Sequence, residues 1–148
     1  MRVGNAWRRM LVVLAAIGAL GLTLTDAALA QTAATRQKAV FQVSDADPQK
    51  WNLALNNAKN VQDELGAGAV DLEIVVYGPG IGMLKLESPV ATRIAEAMKG
   101  GVAVVACENT MKGQKLTRAD MLPDIAYVKA GVVELMTRQR EGYAYIRP

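Results

Sequence analysis

The sequence predicts a single α/β domain whose mostly parallel sheet is covered by helices on both faces. Three observations carry that expectation. Apolar, β-branched runs of strand length alternate with helix-length segments in the order β-α-β-α-β-α-β-α-β. Helix-starting pairs, Asp47-Pro48 and Ser88-Pro89, stand before two of the helical segments, and glycines stand after them. No internal repeat, low-complexity tract or linker breaks the series. Parallel strands joined through helices require right-handed crossovers.

The elements follow in chain order. Residues 1–30 have the layout of a signal peptide. Arg2, Arg8 and Arg9 precede the apolar run Met10 to Leu24, and "ALA", Ala28 to Ala30, offers a cleavage pattern before Gln31. An uncleaved signal anchor is the alternative. The residues after Arg8-Arg9 give little support to a twin-arginine signal. Removing Arg2, Arg8, Arg9 and Asp26 lowers the formal charge from +3 to about +1. The remaining Lys and Arg are scattered, which argues against a nucleic-acid surface. Contact with a membrane is expected only through the leader, and the expected location is periplasmic or secreted.

Residues 31–37 read as a flexible lead-in, and the domain is expected over 38–148. Ala39 to Ser44 reads as a buried strand. A helix follows, with Asp47 at its N-cap and Pro48 at its first position. Trp51, Leu55, Ala58, Val61 and Leu65 lie near one face, and Gly66 and Gly68 stop it. Val70 to Gly78 is the second strand, ending in the continuous apolar run of a strand covered on both faces. "PGIGMLKLES" is a Gly-rich connection. Ser88 caps the next helix, Pro89 opens it and Gly100-Gly101 end it. "VAVVAC" is the third strand, and "ENTMKGQKL" a turn or short helix. "TRADML" opens another helical turn, with Thr117 and Asp120 at capping-box spacing. A fourth strand surrounds Ile125 to Val128. "GVVELMTRQREG" is the last helix and "YAYIRP" a terminal strand.

Composition narrows the chemistry. The chain has one cysteine and no histidine. Ser-His-Asp and Cys-His catalysis and the usual structural zinc sites are thereby excluded. A lone cysteine in an oxidising compartment forms an intermolecular pair, packs as a small inert hydrophobe, or reacts. Cys107 ends the third strand, and ligands gather at the carboxyl ends of parallel strands. It precedes an expected helix N-terminus near Asn109-Thr110, whose amides favour thiolate over thiol. Lys112 and Lys115 add positive charge nearby; Glu108 opposes them. Gly78, Gly80 and Gly82, in "YGPGIGM", lack the spacing of a nucleotide loop. They read as a tight turn that gives a ligand or the thiol access to backbone.

The other polar and sulfur-bearing residues have plainer readings. Glu134 and Glu141 read as solvated helix positions, and Asp120 and Asp124 as turn and cap residues. Met83, Met98, Met111, Met121 and Met136 read as core filling. Tyr143 and Tyr145 alternate on the terminal strand, where one could face a partner subunit.

Four segments, "VFQVSDADPQKWNLALNNAKN", "EIVVYGPGIGMLK", "VVACENTMKGQKL" and "AGVVELMTRQREGYAYIRP", give the chain from Lys38 to Pro148 a resemblance to the DsrE/DsrF-like sulfur-relay family, in an exported form. The resemblance implies a three-layer α/β/α domain with a five-stranded sheet, and a homo-oligomer, trimeric or hexameric. In cytoplasmic relay members the cysteine after the third strand carries sulfane sulfur, and Cys107 stands at that position. The function expected is a sulfur carrier working through a persulfide on Cys107, without metal or nucleotide, exchanging sulfur with a donor or acceptor protein. The alternative is a non-enzymatic oligomeric protein of the same fold that binds a small ligand or serves a larger assembly. Burial of the sulfur discriminates between them.

Overall fold

The computed structural model describes residues 36–148. The expected signal peptide and its cut before Gln31 lie outside the described residues. The chain runs through β1 (Gln37–Val43), α1 (Pro48–Leu65), β2 (Val70–Val76), α2 (Ala91–Lys99), β3 (Ala103–Cys107), α3 (Glu108–Gly113), β4 (Ala126–Val128), α4 (Gly131–Arg140) and β5 (Ala144–Ile146). The sheet order is β4-β3-β2-β1-β5, and every pairing is parallel. The expected α/β class, helix–strand alternation and number of strands are all present.

Strand alternation splits the core in two. Ala39, Phe41 and Val43 of β1 and Leu72, Ile74 and Val76 of β2 face α1, α2 and α3. They pack with Trp51, Ala54, Leu55 and Ala58 of α1, Ile94 of α2 and Met111 of α3. The opposite face carries Val40, Val75 and Val105 under Leu135 of α4. Helices therefore lie on both faces, giving three layers, but one face is covered by α4 alone among these helices.

α1 starts as expected. The Asp47 carboxylate accepts the Gln49 N–H at 2.8 Å, and Pro48 takes the first turn. Gly66 ends it at φ 88, a conformation that favours glycine. Leu65, expected on the buried face, is 51% exposed at the last position of the helix.

Several expectations need correction. β1 begins at Gln37, which pairs with Val70, one residue before the expected domain start at 38. β2 stops at Val76; Tyr77 donates to the Val43 carbonyl at 3.1 Å and the chain then turns into a 3-10 segment over Gly78–Leu84. Ser88 does not cap α2. Lys85 bridges Met121, and Leu86 donates to the Asp120 carbonyl, which draws residues 85–90 into a turn. The Ser88 hydroxyl accepts from Val90 N–H at 3.4 Å, and α2 starts at Ala91 with Val90 at the cap.

Glu134 is only 18% exposed and turns toward Arg138 at 2.9 Å, so it is not a solvated position. Tyr143 lies before β5, with Lys38 and Arg138 over its ring at 5.5 and 5.4 Å. Met136 is 53% exposed, unlike the buried Met83, Met111 and Met121. The Thr117–Asp120 capping box forms as expected.

Candidate functional site

β3 places Val105 and Cys107 on the face that α4 covers, because residues two apart share a side of a strand. Strand then gives way to helix without a linker. Cys107 is itself the N-cap of α3, so the helix starts earlier than the Asn109-Thr110 expected. Its Sγ accepts the Thr110 N–H at 3.4 Å. The thiol also faces the Lys129 carbonyl at 4.0 Å.

Burial pushes the Cys107 thiol up. The Thr110 hydroxyl and the backbone N–H groups of Gly131, Thr110 and Asn109 outweigh it, and the net shift lies below the ordinary thiol value of 9.0. Fixed dipoles produce this shift; neither Lys112 nor Lys115 is among its leading causes.

Two of the sequence-predicted residues join the thiol directly. The Thr110 hydroxyl oxygen accepts the Gly78 N–H at 2.9 Å, and the same side chain lowers the thiol. The N–H of Asn109 holds the Lys129 carbonyl at 3.1 Å, fixing the segment that overlies the thiol. Gly78 belongs to the site through Thr110, and its φ of 55 suits glycine.

Gly80 and Gly82 do not reach the site. A Cβ on Gly80 would meet the Val43 carbonyl oxygen at 2.8 Å and Ser44 Cα at 3.0 Å. A Cβ on Gly82 would meet the Trp51 ring at 3.4 Å. Both serve close packing against the β1–α1 corner. Lys112 is exposed and lines a shallow hollow of about 420 Å³ with Lys115, Arg118 and Glu108; Cys107 is not in its wall. Glu108 is paired with Arg118 at 2.9 Å.

The sulfur does not face an open cleft. Cys107 is 5% exposed, covered by the Lys129–Gly131 segment that leads into α4. Gly131 sits against Tyr77, where a Cβ would come within 3.1 Å of the Tyr77 Cβ and ring. Sequence reasoning missed Lys129, Gly131 and Tyr77. They lie far from Cys107 in sequence, and only the adjacency of β3 and β4 brings Lys129 and Gly131 to it. Among the described residues no group of three or more His, Cys, Asp or Glu side chains converges to hold a metal ion. Among the same residues no helix is long and apolar enough to cross a membrane.

An all-parallel five-stranded sheet with a helix-capping, amide-cradled cysteine at the carboxyl end of β3 defines an α/β domain with a thiol-centred edge. The family model described as the DsrE/DsrF-like family matches residues 37–148, and the chain belongs to that family. The structure is similar to that of MTH1491, a protein of unknown function from Methanobacterium thermoautotrophicum. The two are 31% identical with a TM-score of 0.72, over 76% of this chain and 99% of that one. It shares its fold with BT1422, a conserved protein of unknown function from Bacteroides thetaiotaomicron. There the identity is 14% and the TM-score 0.62, over 80% of this chain and 100% of that one. It also shares its fold with the ychN protein from E. coli, at 16% identity and a TM-score of 0.62, over 76% and 99% of the two chains. Among curated proteins none matches.

Proposed function

We propose that the protein is an exported sulfur carrier that holds sulfane sulfur as a persulfide on Cys107. The observation that carries this reading is the setting of the sulfur. It caps α3, receives the Thr110 N–H at 3.4 Å, and is held below the ordinary thiol value by amides and a hydroxyl. Membership of the DsrE/DsrF-like family supports it. In the loading step the Cys107 thiolate attacks the outer sulfur of a donor persulfide. A new S–S bond forms, the donor S–S bond breaks, and the donor leaves as a thiolate. Unloading is the same exchange with an acceptor thiolate attacking the outer sulfur. Neither step needs an external oxidant, metal or nucleotide. Loading requires the Lys129–Gly131 cover to move, since the sulfur is buried in the closed domain.

The carrier works as a homo-oligomer, a reading supported by Val132, Val133 and Met136, which stand exposed on α4. A second reading, an oligomeric binding or structural protein of the same fold, is favoured by one observation, the burial of Cys107.

Intact mass spectrometry after exposure to a small-molecule persulfide separates the two. A carrier gains about 32 Da in the wild type and nothing in Cys107→Ser. No gain in a folded wild type, under conditions where a free thiol does react, favours the second reading.

A further inference from the structure

Glu73 lies in the middle of β2 with its side chain 3% exposed. Its Oε2 is 2.7 Å from Arg138 Nε, and the same Nε is 2.9 Å from Glu134 Oε1. One guanidinium nitrogen thus stands between two carboxyl groups. Glu73 Oε1 has no hydrogen-bond partner, and the Arg138 Nε–H is aimed squarely at neither carboxylate. A fully ionised buried carboxylate in this setting is costly, because one shared cation compensates it incompletely.

The groups around Glu73 offer little more compensation. On β2, Asp71 shares its face but pairs with Arg36 at 2.8 Å. From β1, Lys38 lies over Tyr143 and donates to the Glu141 carbonyl at 3.4 Å. Just past the end of α4, Glu141 takes the Arg138 Nη1 at 2.9 Å. Tyr143 offers its ring to Arg138, and Tyr145 of β5 is engaged with Gln42. β3 presents Ala103 beside Glu73 and no charge.

The helix that carries Glu134 and Arg138 also anchors the cover of the thiol. Glu134 N–H donates to the Ala130 carbonyl at 3.0 Å. Ala130 lies between Lys129, whose carbonyl faces Sγ, and Gly131, whose N–H helps lower the thiol. We propose that the buried Glu73–Arg138–Glu134 cluster is a pH-sensitive latch: loss of the Glu73 proton loosens α4 from the sheet, and with it the Lys129–Gly131 segment over Cys107. The biological sense of this latch rests on the carrier reading; its mechanics do not.

The direction follows from proton linkage. Burial, with the Glu134 charge, pushes Glu73 up from 4.5 to about 7 against the pull of Arg138. When α4 lifts, the carboxyl meets water and returns toward its ordinary value. The closed form therefore binds more protons, and rising pH favours opening. Between pH 6 and pH 8 the opening equilibrium rises about tenfold.

The test is the rate of Cys107 alkylation by iodoacetamide in the full-length folded protein, wild type against Glu73→Gln. Thiolate formation raises both rates with pH, so the ratio isolates the latch. That ratio is expected to climb about tenfold from pH 6 to pH 8. A flat ratio overturns the proposal. Wild-type amide hydrogen exchange over residues 129–140, corrected for the intrinsic effect of pH, needs no variant. Protection there is expected to fall as pH rises, and unchanged protection overturns the latch even if Glu73→Gln fails to fold. Alkylation is read independently of sulfur uptake. A working latch in a protein that gains no sulfur overturns the carrier alone; sulfur uptake with a flat ratio overturns the latch alone.

Discussion

Thr110→Val removes one hydroxyl and little else, since valine nearly matches threonine in shape. In the native protein that hydroxyl accepts the Gly78 N–H at 2.9 Å and helps hold Cys107 below the ordinary thiol value. The substitution leaves the Gly78 amide without its partner in a part-buried position. A buried donor stripped of its partner costs about 1–3 kcal/mol; water can reach a part-buried one, so about 1 kcal/mol is expected. The thiol loses the leading cause that lowers it, and its ionisation moves upward while the backbone amides still hold it. The assay pairs urea unfolding with the pH dependence of Cys107 ionisation in the same variant. Lower stability with an unmoved thiol would mean that Thr110 serves the glycine turn alone. No change in either would refute the coupling of that turn to the sulfur.

Gly80→Ala should cost about 1–3 kcal/mol in urea unfolding, because its Cβ would meet backbone atoms of Val43 and Ser44, not a side chain that can swing away; a neutral effect would disprove the close approach. Glu73 is raised in the folded state, so its contribution to stability is full below 4.5 and is lost as pH rises through about 7. The urea midpoint of Glu73→Gln relative to wild type should therefore improve from pH 5 to pH 8, and a gap that stays constant would count against a proton on Glu73. N-terminal sequencing of exported protein should begin at Gln31, and finding Met1 retained would contradict cleavage.

Much of the fold was legible because its signals are local. Asp47-Pro48 starts a helix by filling an orphan amide and fixing one φ, and both effects hold in the structure. The run Val102 to Cys107 reads as a strand because β-branched residues fill a sheet covered on both faces. Its end placed the thiol at the carboxyl edge. Ser88-Pro89 carries the same signature as Asp47-Pro48, yet it lies in a turn. The bridge between Lys85 and Met121 is a long-range constraint that no local pattern announces. The site was legible where contacts are short in sequence, as from Cys107 to Thr110, and where strand ends share one edge, as for Gly78. Its cover comes from Lys129 and Gly131, across the β3–β4 pairing. Glu73 did leave a trace, an acidic residue inside the apolar run "VDLEIVV". Its partner Arg138 is visible only once α4 is laid across the sheet.

The most direct test of the central claim is the ionisation of Cys107, followed by thiolate absorbance with Cys107→Ser as the blank. If the capping amides and the Thr110 hydroxyl organise a thiolate, the midpoint lies below the ordinary value of 9.0. The thiol's contribution to stability is then full above that value and is lost as pH falls through the midpoint. A midpoint at or above 9.0 would show that burial outweighs the amides. Cys107 would then be a packed, inert residue, and the sulfur-carrier account would be contradicted at its source.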